Sequence, residues 1–248
     1  MRRVDRLKLD PEVQKDLDRR QNKANAKRRT GTLNPAQEWD NARPTQKIKK
    51  ALTTLQKMMG PHERCMYCVD SHGSDIEHFW PKTTYPDKVF LWTNMLLCCT
   101  ECGRFKGGLF PLTEAGLPLL INPTEEDPWI YLDFDPDTGN VVARFDTKTN
   151  DETPKGKATV DLLQLDRREA LATGYRRTFL RLSKVVEKYL EGEVCSADEL
   201  IEEMQTMDDH GLLGWCFLGT GRSVPPFYDL HLKHFQLWVE CEAIVRRL

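Results

Sequence analysis

Two CxxC pairs, Cys65-Met-Tyr-Cys68 and Cys99-Thr-Glu-Cys102, restrict what this chain can fold into more than any other feature. A CxxC turn presents two thiolates to one ion, and two such turns complete a closed tetrahedral Zn²⁺ site with no open position for chemistry. A redox pair would explain one CxxC but not the second. The pairs are separated by 30 residues, more than the roughly 15–20 of a simple ribbon, so a further segment is inserted between them. The expectation is a structural Zn²⁺ on Cys65, Cys68, Cys99 and Cys102. Five of the eight cysteines fall between Cys65 and Cys102. Cys98 is expected to pack inward, and Cys195, Cys216 and Cys241 read as buried thiols in apolar surroundings. The opening stretch MRRVDRLKLD has no apolar core of the kind a secretory signal carries. The cysteines therefore read as metal ligands in a reducing, cytoplasmic setting. No run approaches the roughly 18 apolar residues of a membrane span.

The inserted segment carries chemistry. Asp75-Ile76-Glu77-His78-Phe79 alternates like a short strand and Pro81 ends it. An imidazole with a pKa near 6.5 suits proton removal from water at neutral pH. A neighbouring carboxylate suits a hard ion such as Mg²⁺ or Mn²⁺. Together they are the parts for metal-assisted hydrolysis of a phosphodiester. Asn94 follows and could orient His78. Lys82, and then Arg104 and Lys106 in GRFKGG, are candidates to meet phosphates. Taken singly, each has a plain reading: a surface or capping histidine, an ordinary turn. They gain weight because they share one zinc-clamped span.

Charge is distributed unevenly. Up to Arg64 the chain has 17 Lys/Arg against 8 Asp/Glu, and the remainder has 19 against 30, although the net charge is only −2. A basic end suits a polyanion such as DNA, while an unevenly charged solvated helix explains it equally. Residues 1–30 read as a basic helical region. TQKIKKALTTLQKMMG, 45–60, reads as an amphipathic helix with Ile48, Leu52 and Leu55 on one face. Residues 129–145 read as a hairpin turning at Gly139-Asn140. Helices are expected over 167–190, 197–208 and 229–247, the first two opened by capping boxes at DRRE and SADE and the last two joined by a Gly- and Pro-containing connector, HGLLGWCFLGTGRSVPPFYD. The predicted fold is α+β and mostly helical. It has a basic helical region (1–61), a zinc-clamped domain (62–128) and a hairpin followed by helices (129–248).

The order Cys-x-x-Cys, acid-His-apolar-x-Pro, Asn, Cys-x-x-Cys, x-x-x-Lys resembles the HNH endonucleases, with their ββα-metal unit and zinc-knuckle clamp. More narrowly, DIEHFWPK, NMLLCCTECGRFKGG and PLLINPTEEDP are similar to the HNH nuclease subunit of Septu anti-phage systems and to retron-associated HNH proteins. The likeness covers about residues 62–130. It implies a DNA endonuclease with His78 as general base, Glu77 as ligand to a catalytic Mg²⁺ or Mn²⁺, Asn94 holding the His78 loop, and an ABC/SMC-like ATPase as partner. One position departs: the family's Asn or His after the last knuckle cysteine is Gly103 here. Asp75 is the candidate replacement ligand, with Glu101 behind it; otherwise water completes the shell or the site is weakened. Gly103 also supports the alternative of a zinc-stapled nucleic-acid-binding or scaffold subunit with an inactive site. RNA as substrate is not excluded by the chemistry; the resemblance favours DNA.

Overall fold

In the computed structural model the described residues are 1–192 and 196–247; Cys195 lies outside them. They form two units, Arg3–Glu125 and Glu126–Leu248 joined by Met1–Arg2.

The first unit opens with three helices. α1 (Pro11–Arg29) is capped by Asp10, whose side chain accepts from the backbone of Glu12 and Val13, with Pro11 at the first position and Lys27, Arg28 and Arg29 in the last turn. Its buried stripe is Val13, Leu17, Gln21 and Ala24, the spacing of one helical face. α2 (Pro35–Ala42) is capped by Asn34 and buries Trp39 and Ala42. α3 (Gln46–Met58) buries Ile48 and Leu55 as expected, but Ala51 takes the place expected for Leu52, which is only half-buried, and Gly60 turns the chain with φ near 79°.

The segment between the two CxxC pairs, with the helix that follows, holds a strand–strand–helix unit. β1 (Asp75–His78) pairs antiparallel with β2 (Met95–Cys98), Asp75 opposite Cys98 and His78 opposite Met95. α4 (Thr100–Lys106) follows β2 directly, with Cys99 as its cap. β2 is buried at every position, which suits its Met-Leu-Leu-Cys composition. The basic N-terminal helices share one unit with the cysteine-rich segment and brace it. Gln21 in α1 accepts from the Phe90 N–H at 2.7 Å and donates to the Pro86 carbonyl at 3.0 Å. Arg6 donates to the carbonyls of Trp92 and Met95 and to Thr124 Oγ1, and lies 5.1 Å from the Trp92 ring centroid.

The second unit begins with the expected hairpin: β3 (Leu132–Phe134) against β4 (Val141–Ala143), Leu132 opposite Ala143. Gly139 has φ near 83°, and a Cβ there would lie 2.3 Å from the Ala172 carbonyl oxygen, so only glycine fits. A small pair, β5 (Phe145–Asp146) and β6 (Asp151–Glu152), precedes α5 (Pro154–Leu163). Next come α6 (Glu169–Leu190), α7 (Ala197–Met207), α8 (Leu213–Leu218), α9 (Phe227–Lys233) and α10 (Phe235–Val245). The core packs Phe134 against Tyr175, Phe179 and Trp215. Asp133 accepts from the Trp215 indole at 2.6 Å.

Three sequence expectations are corrected in this unit. SADE forms the capping box, but DRRE does not: Arg168 caps α6 without a side-chain bond. The single helix over 229–247 is broken at His234 into α9 and α10. The Gly- and Pro-containing connector before it contains α8, because its Leu-Gly-Trp-Cys-Phe-Leu run is apolar enough to be buried as one turn and a half. No helix among the described residues is long and apolar enough to cross a membrane.

Candidate metal centre and adjoining acid–histidine strand

The four knuckle cysteines converge. The sulfurs of Cys65, Cys68, Cys99 and Cys102 lie within 4.8 Å of one another, and all four residues are buried. Cys68 Sγ and Cys99 Sγ are 3.9 Å apart. A tetrahedron with Zn–S bonds of about 2.3 Å has edges of about 3.8 Å, so these thiols fit a closed Zn²⁺ site. The Cys102 N–H points at Cys99 Sγ at 3.4 Å, as a thiolate favours. Burial pushes the Cys65 thiol up, while the Cys102, Cys65 and Cys99 thiols around Cys68 pull that one down, so the quartet does not titrate as four independent thiols. Cys98 packs inward as expected, its thiol donating to the Cys99 carbonyl at 3.3 Å.

β1 sends its side chains to opposite faces. Asp75 and Glu77 are part-exposed and Ile76 and His78 buried. Asp75 and Glu77 line a cleft of about 360 Å³ together with Arg43, Ser74, Thr100 and Gly103. The Asp75 carboxylate pairs with Arg43 and accepts from the Ile76 N–H. Gly103 faces Glu77: a Cβ there would sit 3.7 Å from Glu77 Oε2. The other carboxylate oxygen, Oε1, accepts from Lys106 Nζ at 2.9 Å. Burial lifts the Glu77 carboxyl above its ordinary value, and the Lys106 charge acts against that rise.

His78 is only 3 % exposed. Its ring meets Trp39 of α2 edge-on, centroids 4.4 Å apart. Nε2 lies 2.9 Å from the Val89 carbonyl oxygen. A carbonyl only accepts, so Nε2 carries the proton and Nδ1 keeps the lone pair. Burial lowers the His78 pKa to about 3, which leaves the ring neutral at physiological pH.

Asn94 stitches the surrounding loop. Its Oδ1 accepts from the Trp80 N–H at 2.7 Å, and its Nδ2 donates to the carbonyls of Trp80 and Lys88, each at 3.0 Å. The end of β1 is thereby tied to the segment that presents the Val89 carbonyl to His78. The sequence reading named Asn94 but missed Trp39, Gln21 and Arg6, which cover or brace the same loop. Gln21 alone left a sequence signal: a polar residue at a core position of the Val13–Leu17–Ala24 stripe.

The three cations expected near phosphate are placed differently from one another. Arg104 is exposed on α4 and Lys82 is half-buried. Lys106 is wholly buried, its ammonium held by Glu77 and, at 2.7 Å, by the His78 carbonyl. Its spacing from Cys102 and Gly103 puts it on the inner face of α4 rather than on the surface expected for a phosphate contact. Glu101 is exposed.

No family model matches the chain, and no solved structure matches it. Two curated relatives do. The Septu protein PtuB of Bacillus thuringiensis is 31 % identical over 149 residues, 58 % of this chain and 51 % of that protein. The Septu protein PtuB of Bacillus mycoides (strain KBAB4) is 33 % identical over 146 residues, 46 % of each chain. The chain spans about half the length of the curated relatives it matches. Over the stretch it shares with them, the chain is PtuB-like.

Proposed function

We propose that this protein is an HNH-type endonuclease that hydrolyses DNA phosphodiester bonds as the nuclease subunit of a cytoplasmic anti-phage defence complex, with an ABC/SMC-like ATPase as its partner. One observation carries the reading: a strand–strand–helix unit clamped by four cysteines carries Glu77 and His78 on its first strand, with Asn94 fixing the loop behind them. The similarity to PtuB supports the defence role. His78 would take the proton of the attacking water on Nδ1, because the Val89 carbonyl commits Nε2 to donating. Glu77 Oε2, facing the cleft and the bare Gly103, would hold the divalent ion. One carboxylate with waters and a substrate phosphate is an acceptable shell for Mg²⁺. The Tyr67 hydroxyl is also buried without a partner, and the Glu77 charge acts on it second only to burial. The single carboxylate facing the open cleft fits a hydrated ion. The ion, when bound, stabilises the charge that develops on phosphate oxygens. Arg104, Lys82 and the exposed cations of α1 would neutralise flanking phosphates.

A second reading has a specific observation behind it. His78 is buried under Trp39, on the face of β1 opposite Glu77, so a rearrangement such as a shift of α2 has to open it to water. A zinc-stapled DNA-binding scaffold needs no such movement. Supercoiled plasmid separates the two readings. The nuclease reading expects nicking or linearisation with Mg²⁺ or Mn²⁺ and none in EDTA. Binding without cutting under either metal, with the ATPase partner also present, favours the scaffold.

A further inference from the structure

We propose that Lys106 is the resident cation of the Glu77 site, and that Lys106, more than the missing side chain at Gly103, sets how tightly the site takes a divalent ion. The proposal rests on the reading of Glu77 as the metal ligand.

The geometry carries it. A lysine with no exposed side-chain surface must have its charge compensated, since an unpaired buried ammonium is strongly disfavoured. Here the compensation is complete and local. Nζ donates to Glu77 Oε1 at 2.9 Å and to the His78 carbonyl at 2.7 Å. Residues three apart on a helix lie on one face, so Lys106 and Gly103 both face β1. Gly103 leaves open space beside Glu77 Oε2, and Lys106 fills the charge on Oε1. A divalent ion arriving at Glu77 therefore meets a carboxylate that already has a counter-charge, and it must share that carboxylate or displace the ammonium. An Asn or His at position 103 would add a neutral donor and leave the opposing charge in place.

The test is Mn²⁺ binding to the zinc-loaded full chain, followed by the EPR signal of free Mn²⁺ without DNA. Wild type is compared with Lys106→Met, and the double variant Glu77→Gln/Lys106→Met supplies the background. Removing a unit charge at this distance is expected to lower the Kd about tenfold or more, and the double variant should lose that gain. An affinity within about twofold of wild type, or a weaker one, would overturn the proposal. Should Lys106→Met lose zinc or melt early, Gly103→Asn in the otherwise native chain decides. Its Cβ meets only ordinary contacts at 3.7 and 3.8 Å. The proposal expects little change in Mn²⁺ affinity there, and a gain of about tenfold would make the missing side chain the limiting feature. Cutting by the wild type is a separate readout. A protein that binds Mn²⁺ as expected but never cuts DNA loses the nuclease reading and keeps this one.

Discussion

Gly103 and His78 show how single residues tune this site. Gly103 sits within a helix at ordinary backbone angles, and a Cβ would make only van der Waals contacts. Glycine inside a helix costs about 0.5–1 kcal/mol relative to alanine. Gly103→Ala should therefore raise stability by about that amount in chemical denaturation; a loss would mean that the space beside Glu77 is needed empty for the fold itself. For His78 the folded pKa of about 3 is below the unfolded value. Above about pH 6.5 the ring is neutral in both states and contributes no pH dependence. Below it the unfolded chain takes up a proton that the folded chain refuses, so stability falls with pH by about 1.4 kcal/mol per unit down to the folded value. Wild type should lose about 1 kcal/mol more than His78→Gln between pH 7.5 and pH 5.5. Equal losses would place the imidazole in water.

At the level of elements, the strand–strand–helix unit is tied by one amide, Asn94, and by a four-cysteine cluster that fits Zn²⁺. Asn94 makes three hydrogen bonds to loop backbone. Asn94→Ala should cost about 2–3 kcal/mol by leaving buried groups unpaired and should keep the zinc, read by denaturation and by metal content; a near-neutral change would mean that water replaces the amide. Cys99→Ser removes a zinc ligand and the thiol cap of α4. It should lose zinc and lower the melting temperature of the first unit, and an unchanged melting temperature would argue against the closed site. Much at this scale was legible in the chain. The two CxxC spacings, the Asp75–His78 alternation and the α3 stripe are local periodic signals, and they appear as a cluster of four buried thiols, a strand and, with Ala51 in place of Leu52, a buried face. What escaped was non-local. Nothing adjacent in sequence announces that Trp39 covers His78 from 39 positions away, that Gln21 holds the Phe90 backbone, or that Lys106 turns inward to Glu77. Those placements are decided by tertiary packing. Unlike Gln21 in its apolar stripe, Lys106 carries no periodic mark of burial, so the sequence placed it at the surface.

Across the whole molecule, the basic helices are built into the same unit as the cysteine cluster and the acid–histidine strand, not appended to it. α1 presents exposed Lys15, Arg19, Lys23, Arg28 and Arg29 to solvent while its buried stripe braces the loop behind His78. One helix thus supplies both an exposed basic surface and support for the site, a charge pattern that would suit the proposed polyanionic substrate. The second unit has its own aromatic core around Phe134, Phe179 and Trp215, and the two curated relatives are about twice the length that the chain matches. The most direct measurement is the rate of supercoiled-plasmid cutting in Mn²⁺ by wild type and His78→Ala, with zinc content and melting curves taken on the same samples. A general base contributes about 10²–10⁴-fold. A drop of that size, with zinc retained and the fold intact, is the expected result. Equal cutting by the two proteins would contradict the role of His78 as the base.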